Sequence, residues 1–475
     1  MTRSPVSPVR LPVRLSVRLS ILLSVLLSVL LSVLLSASLA ACGGPSSDTL
    51  GARKAQRGSG GRVVVVSIDG MMPETYLEAD RLGLKIPTLR SMVERGVHAR
   101  AVAPVFPTVT YPSHTTLVTG APPGVHGIVT NRPIDPLQKN YDGWRWYTED
   151  IAVPTLWSAV EAQGRAAALV TWPVTVGARA TFVVPEYWRS GSSDDQKLLR
   201  SLSTPGLLDK VAHAYPELWQ HLVPPNIRDR AQFEIARYLV THETPDLVLI
   251  HVWQTDDAQH DHGPRSPEAR AAFENVDELL GELLGTLEKS PDWSRTTLVV
   301  LSDHGFAPAE HEIRLNALFR ERGLVQVDAD GKATSAKVAA IENGGTAYVY
   351  VLDPAAQGAV MAAIESIKPA ITKIYSREEI AAAGGDPKVS FAVGAAPGYA
   401  FNDRTGGPAV ADRPGRGHHG FPPSDPAMAA SFLAIGPRLP RRDLGTIRMI
   451  DVGPTIARWL GVTLSGATGT AIPDL

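Results

Sequence analysis

Three apolar stretches far apart in the chain each run into an aspartate: residues 63–68 into Asp69, 247–252 followed shortly by Asp256, and 298–301 into Ser302, Asp303 and His304. Short, continuously apolar, β-branched runs suit parallel strands covered on both faces, and open α/β sheets bind ligands beyond the carboxyl ends of such strands. The three acids can therefore converge in space. His260 follows Asp256 by four residues and His304 follows Asp303 directly, so the pattern points to a binuclear metal site and a hydrolase.

The first 41 residues are set aside as a signal peptide. Arg3, Arg10, Arg14 and Arg18 form a basic region, and 19–41 is an uncharged leucine-serine-valine run ending in small residues. The run is long enough to span a bilayer as an uncleaved anchor. However, Leu39, Ala40, Ala41 and Cys42 resemble the lipobox of bacterial lipoproteins, whose cysteine becomes the lipidated first residue. Cys42 is the single cysteine of the chain, which excludes an intramolecular disulfide and a thiol nucleophile. Residues 42–61 read as the lipidated cysteine and a flexible Gly/Ser-rich tether. The expected location is extracytoplasmic and membrane-anchored. A net charge of −2 gives no electrostatic reason to expect a nucleic-acid polymer as partner.

Residues 62–475 alternate strand and helix patterns as a wound parallel sheet does. Strands are expected at 63–68, 165–171, 247–252, 298–301, 346–352 and 432–435, and helices at 87–95, 232–241, 266–287, around 355–367 and at 451–460. Excursions near 131–153, with Trp144, Arg145, Trp146 and Tyr147, and near 185–230 interrupt the rhythm. A third, 397–426, is rich in Gly, Pro, Asp and Arg and contains His418 and His419. Loops of this length usually shape substrate access.

The candidate metal donors are Asp69, Asp256, His260, Asp303, His304 and His419. Three carboxylates and three imidazoles suit zinc better than magnesium, with manganese or iron as alternatives. Asp257, Asp261 and His262 crowd the same loop, but Asp256 and His260 share one helical face at four-residue spacing. His251 and His418 have simpler readings as packing or loop residues. The candidate nucleophile is Thr110 in Phe106-Pro107-Thr108-Val109-Thr110-Tyr111-Pro112-Ser113-His114. It precedes a helix-like run, whose free N–H groups favour negative charge on the threonine oxygen and on an arriving phosphate. A plain helix cap is the alternative role for that threonine.

These segments together resemble the nucleotide pyrophosphatase/phosphodiesterase family of the alkaline phosphatase superfamily. Residues 108–114 are similar to the family's Thr-Lys-Thr-Phe-Pro-Asn-His, and Val125 to Asn131 to its Ser-His-Gly-Ile-x-x-Asn. Residues 256–264 resemble Asp-x-x-x-His-x-x-Gly-Pro, 302–306 resemble Ser-Asp-His-Gly-Met, and 417–421 resemble Gly-x-His-Gly-Tyr, which selects His419 over His418. The resemblance implies an α/β fold with an alkaline phosphatase-like core, a mostly parallel central sheet flanked by helices, and loop or cap insertions. It also implies two divalent ions, one held by Asp69, Thr110, Asp303 and His304 and the other by Asp256, His260 and His419. Thr110 would be the nucleophile, Asn131 the phosphoryl-oxygen donor, and Tyr111 and Trp172 substrate contacts. Departures fall on the substrate side: Met71, Met72 and Pro73 follow Asp69-Gly70, Val109 replaces a lysine, and the family's Trp-Pro-Gly-Ser is Trp172-Pro173-Val174-Thr175.

The expected reaction is hydrolysis of a small phosphodiester or phosphoanhydride through a phospho-threonine. The alternatives are a phosphonate hydrolase of the same superfamily and, from another class, a lipoprotein that binds a ligand without catalysis.

Overall fold

The computed structural model describes residues 60–475 except 138, 140–142, 190, 225 and 331. The expected signal peptide and Cys42 lie outside the described residues. Among the described residues no helix is long and apolar enough to cross a membrane.

In chain order, the central sheet and its covering helices are β1 (Arg62–Ile68), α1 (Pro87–Arg95), β2 (Val97–His98), α2 (Thr110–Thr119), β3 (Ala167–Val170), β4 (Phe182–Val184), α3 (Asp229–Tyr238), β5 (Leu247–Val252), α4 (Gln254–His262), α5 (Pro267–Glu288) and β6 (Thr296–Leu301). They are completed by β11 (Phe432–Ile435), β12 (Arg442–Asp443) and α7 (Val452–Leu460), after a smaller group described below. The eight strands lie in the order β12-β2-β11-β6-β1-β5-β3-β4, and only β11 runs against the others.

Two apolar layers cover the sheet because successive β residues point to opposite faces. Val64, Val66 and Ile68 of β1 pack with residues of α1, α3 and α5. Val63 and Val65 pack with Leu117 and Val118 of α2 and with Ile456 and Leu460 of α7. Burial on both faces is why β1, β5 and β6 are dominated by apolar residues, and it fixes register: Val63 pairs with Leu247 and Thr297, and Ser67 with His251 and Leu301. The ends carrying Asp69, Asp256 and Asp303 consequently lie side by side.

The strand expected at 346–352 does not join the wound sheet. It is β8 (Thr346–Val351), paired antiparallel with β7 (Val338–Asn343) and β10 (Phe391–Ala395); β9 (Ile371–Ser376) completes a four-stranded sheet covered by α6 (Gln357–Glu365). The cause is local. Gly344 and Gly345 make a two-residue hairpin turn with Gly344 at φ +67°, a connection that only antiparallel neighbours use. The excursion at 185–230 contains helices Ser193–Leu202, Leu207–Ala214 and Leu218–His221.

Candidate metal centre and phosphate site

Asp69 leaves β1 and is followed by Gly70 at φ +68°, where a Cβ would overlap Phe306 and Gln259. That turn directs the Gly70 N–H to Asp303 Oδ1 at 3.2 Å, joining the ends of β1 and β6. Asp256 and His260 sit on α4, with Asp256 Oδ2 3.4 Å from His260 Nε2. His304 Nε2 lies 3.1 Å from Asp303 Oδ2, 3.4 Å from Asp69 Oδ1 and 3.4 Å from Thr110 Oγ1. The His419 ring stacks on His304 with centroids 3.7 Å apart, and its Nε2 is 4.0 Å from Asp256 Oδ1. All six expected donors are thus brought together, and Asp69, Asp303 and His304, like Asp256, His304 and His419, offer ligand atoms within 4.8 Å of one another. His418 comes within the same reach of His260 and His419, but it lines a different cavity with Arg413 and Arg416.

The donor chemistry fits divalent cations. Asp69 Oδ1, Asp256 Oδ1 and Asp303 Oδ2 are buried without a hydrogen-bond donor among the described residues, which is costly unless a positive charge faces them. Burial and the charge of Asp256 push the Asp69 carboxyl up to about 7. Burial likewise holds Asp256 and Asp303 well above the usual carboxylate range. Burial lowers His304 to about 3 and His260 to about 4, leaving neutral imidazoles ready to donate lone pairs. Three crowded carboxylates beside neutral imidazoles are a donor set that a divalent cation would stabilise.

Thr110 is the first residue of α2, preceded by Val109 in extended conformation; it begins the helix rather than capping it. Asn131 Oδ1 accepts the Tyr111 N–H at 2.9 Å, which orients the side chain beside the start of α2. Asn131 lines a cavity of about 310 Å³ with Asp69, Thr110, Asp256, His260 and His419. Tyr111 lines it too, although its ring is buried and its hydroxyl donates to Glu186 Oε1 at 2.7 Å. Trp172 does not line the cavity. It is 1% exposed and stands edge-on to His114.

Four participants, His251, Glu186, Trp188 and Trp253, lack a motif of their own in the sequence, and His114 closes the 108–114 segment without a role read from it. His251 bonds Asp69 Oδ2 at 2.9 Å and Glu186 Oε2 at 2.8 Å. Burial opposes charge on this ring, but Glu186 and Asp69 hold it well above the usual histidine range. His114 meets Ser67 Oγ at 2.8 Å and the Thr110 carbonyl at 2.9 Å. Trp188 and Trp253 line the cavity beside Trp144. The one available signal was that Ser67 and His251 each interrupt an apolar run one residue before its end.

The sequence matches the family described as Type I phosphodiesterase / nucleotide pyrophosphatase across residues 63–422. Human ectonucleotide pyrophosphatase/phosphodiesterase family member 5 is 28% identical over 266 residues, covering 53% of this chain and 46% of the relative. Human family member 7 is 27% identical over 267 residues, covering 55% of this chain and 51% of the relative. The chain thus spans about half the length of these curated relatives. In fold it is similar to human member 5, with a TM-score of 0.62 at 21% identity over 86% of this chain and 97% of that one. It is equally similar to an inactive threonine-to-alanine variant of the murine protein in complex with AMP, with a TM-score of 0.61, 22% identity and the same coverage. The chain belongs to the Type I phosphodiesterase / nucleotide pyrophosphatase family.

Proposed function

We propose that this protein is a metal-dependent phosphodiesterase or nucleotide pyrophosphatase acting on small phosphodiesters or phosphoanhydrides. The observation that carries the reading is the Thr110 hydroxyl at the start of α2, 3.4 Å from His304 Nε2 and open to the cavity that Asn131 and the carboxylate-imidazole cluster line. Asp69, Asp303 and His304, with Thr110 Oγ1, would hold one divalent ion, and Asp256, His260 and His419 the other. Zinc suits this donor set best, with manganese or iron as alternatives. Two such ions supply neutralising charge for phosphoryl oxygens and lower the pKa of a bound hydroxyl or water.

Thr110 Oγ1 attacks phosphorus as the bond to the leaving oxygen breaks. Water then cleaves the phospho-threonine, returning the hydroxyl and releasing the phosphoryl product. The first-turn N–H groups of α2 favour negative charge on the threonine oxygen. Asn131 donates to a non-bridging oxygen, and as a neutral donor it favours diesters, with one negative charge, over monoesters with two. The leaving group faces Trp144, Trp188 and Trp253. A nucleotide is the first candidate because the murine relative is in complex with AMP. The excursions near 131–153 and 185–230 shape access to this side, since they supply Asn131, Trp144, Glu186 and Trp188. Residues 1–41 would be removed as a signal peptide and Cys42 lipidated, leaving the domain outside the cytoplasm.

Metal analysis combined with ester assays tests the function. Two ions per chain and faster turnover of bis(p-nitrophenyl) phosphate than of p-nitrophenyl phosphate are expected. The opposite preference would overturn the diesterase reading, and phosphate release from phosphonoacetate would favour a phosphonate hydrolase.

A further inference from the structure

We propose that His251, fixed from behind by Glu186, is a positioning residue that presents Asp69 to the metal centre through the single oxygen Oδ1. The inference rests on the two-metal reading above. His251 is 2% exposed and lies in β5 directly across from Ser67 of β1, two residues before Asp69. Its Nε2 lies 2.9 Å from Asp69 Oδ2. The other oxygen, Oδ1, has no hydrogen-bond donor among the described residues and points toward His304 Nε2 at 3.4 Å. One oxygen is tethered and one is left free. A carboxylate held in this way cannot rotate to offer both oxygens, and ligands oriented by such an outer partner bind metal more tightly than loose ones.

The imidazole is itself immobilised. Its Nδ1 lies 2.8 Å from Glu186 Oε2 and 3.3 Å from the Thr171 carbonyl. Its ring is flanked by His114 and Trp253, with centroids 4.3 Å and 5.3 Å away. Glu186 comes from the excursion after β4 and uses its second oxygen, Oε1, to accept the Tyr111 hydroxyl at 2.7 Å. Tyr111 follows Thr110, and its N–H holds Asn131. One buried carboxylate therefore connects the acid of the first metal position to the turn carrying the nucleophile and the phosphoryl-oxygen donor. A simpler role, tying β3 to β5, would need only the Thr171 contact and would leave Asp69 indifferent to which donor occupies position 251.

The test is competitive titration of the metal-free full-length protein with Zn2+ against a chromogenic chelator, with thermal melting as a check on folding. Asp256→Asn identifies the second position by abolishing it. His251→Leu is expected to weaken the Asp69 position by about 10- to 100-fold while leaving the other within about threefold. His251→Gln places an amide N–H near the former Nε2 and is expected to restore most of the loss. If His251→Leu does not fold, Glu186→Ala serves instead. It keeps every metal donor and the imidazole, and is expected to weaken the same position by about 10-fold. The inference is overturned if His251→Leu binds both ions with wild-type affinity, if the Gln and Leu variants lose affinity equally, or if Glu186→Ala leaves affinity unchanged. A wild-type protein that binds no metal removes the two-metal reading together with this inference. A wild type that binds two ions, unaffected by these variants, removes the inference alone.

Discussion

The two walls of the cavity are built on different principles. The polar wall, Asp69, Asp256, His260 and His419, with the fully buried Asp303 and His304 beside Asp69, stands mainly at the ends of β1 and β6 and on the helix that follows β5. The aromatic wall, Trp144, Trp188 and Trp253 with Tyr111 behind them, comes largely from excursions between elements. Sheet register fixes most of the first, whereas the second depends on packing among loop residues distant in sequence. The polar wall should therefore govern turnover, and the aromatic wall should govern which leaving group is held.

The sharpest way to break this division is Thr110→Ala. Losing the attacking oxygen should reduce diesterase turnover by at least about 10³-fold, while metal content and melting temperature stay near wild type. Single-turnover assays with metal analysis check it. If activity survives, attack comes from water, and the polar wall holds metal for another purpose.

The joint between the walls can be loosened by acid. His126 is buried, its Nδ1 accepting the Ile128 N–H at 3.1 Å and its Nε2 meeting Thr116 Oγ1 of α2 at 3.0 Å. This clasp holds the loop leading to Asn131 against the helix that begins with Thr110. Burial lowers His126 from 6.5 to about 3. Because the folded value is depressed, the neutral ring's contribution is fully present above about pH 6.5 and is lost as pH falls toward 3. The full span corresponds to about 4 to 5 kcal/mol. Urea denaturation between pH 7 and 4 should reveal this slope. His126→Gln, which has no titrating group, should be less stable at pH 7 but should flatten that part of the profile.

Asn131→Ala tests whether the joint is also chemical. Removing one preorganised donor should cost about 2 to 3 kcal/mol, a 30- to 150-fold fall in kcat, with metal affinity unchanged. A change confined to KM would assign Asn131 to ordinary binding and move it to the aromatic side.

Much of the polar wall was legible because its aspartates follow elements whose pattern is physically forced, whereas His419 was picked out only by the resemblance of 417–421. Residues 63–68, 247–252 and 298–301 are mostly apolar because they are buried on both faces, so the aspartates after them mark strand ends. Asp256 and His260 carry the spacing of one helical turn. Glu186 was illegible because nothing local distinguishes a buried glutamate partnering His251 from a solvated one; the pairing exists only once β4 and β5 share a sheet. His251 looked like a polar residue tolerated in a strand, and its meaning emerged only from the register with Ser67. Trp172 was expected near substrate, yet its ring packs under His114. The strand at 346–351 was expected in the main sheet because its apolar pattern was weighed above the Gly344-Gly345 turn, which dictates an antiparallel partner.

The smallest effect belongs to the aromatic wall and decides whether the two walls act separately. Trp144 packs against Tyr111 and Trp188, with centroids 5.2 Å and 5.3 Å away, and the Arg132 guanidinium covers it at 5.5 Å. Its ring is only partly buried and lines the cavity, so it can still offer apolar surface to a flat leaving group. Trp144→Ala should raise KM for a nucleotide ester by about 5- to 10-fold, near 1 to 1.5 kcal/mol of lost contact, with kcat held within about twofold. The small ester bis(p-nitrophenyl) phosphate, which has less surface to place against that wall, should lose less. Steady-state kinetics on the two substrates separate the outcomes. Equal losses in kcat for both would mean that Trp144 supports Tyr111 and the nucleophile turn, so that the aromatic wall would serve turnover as well as selection.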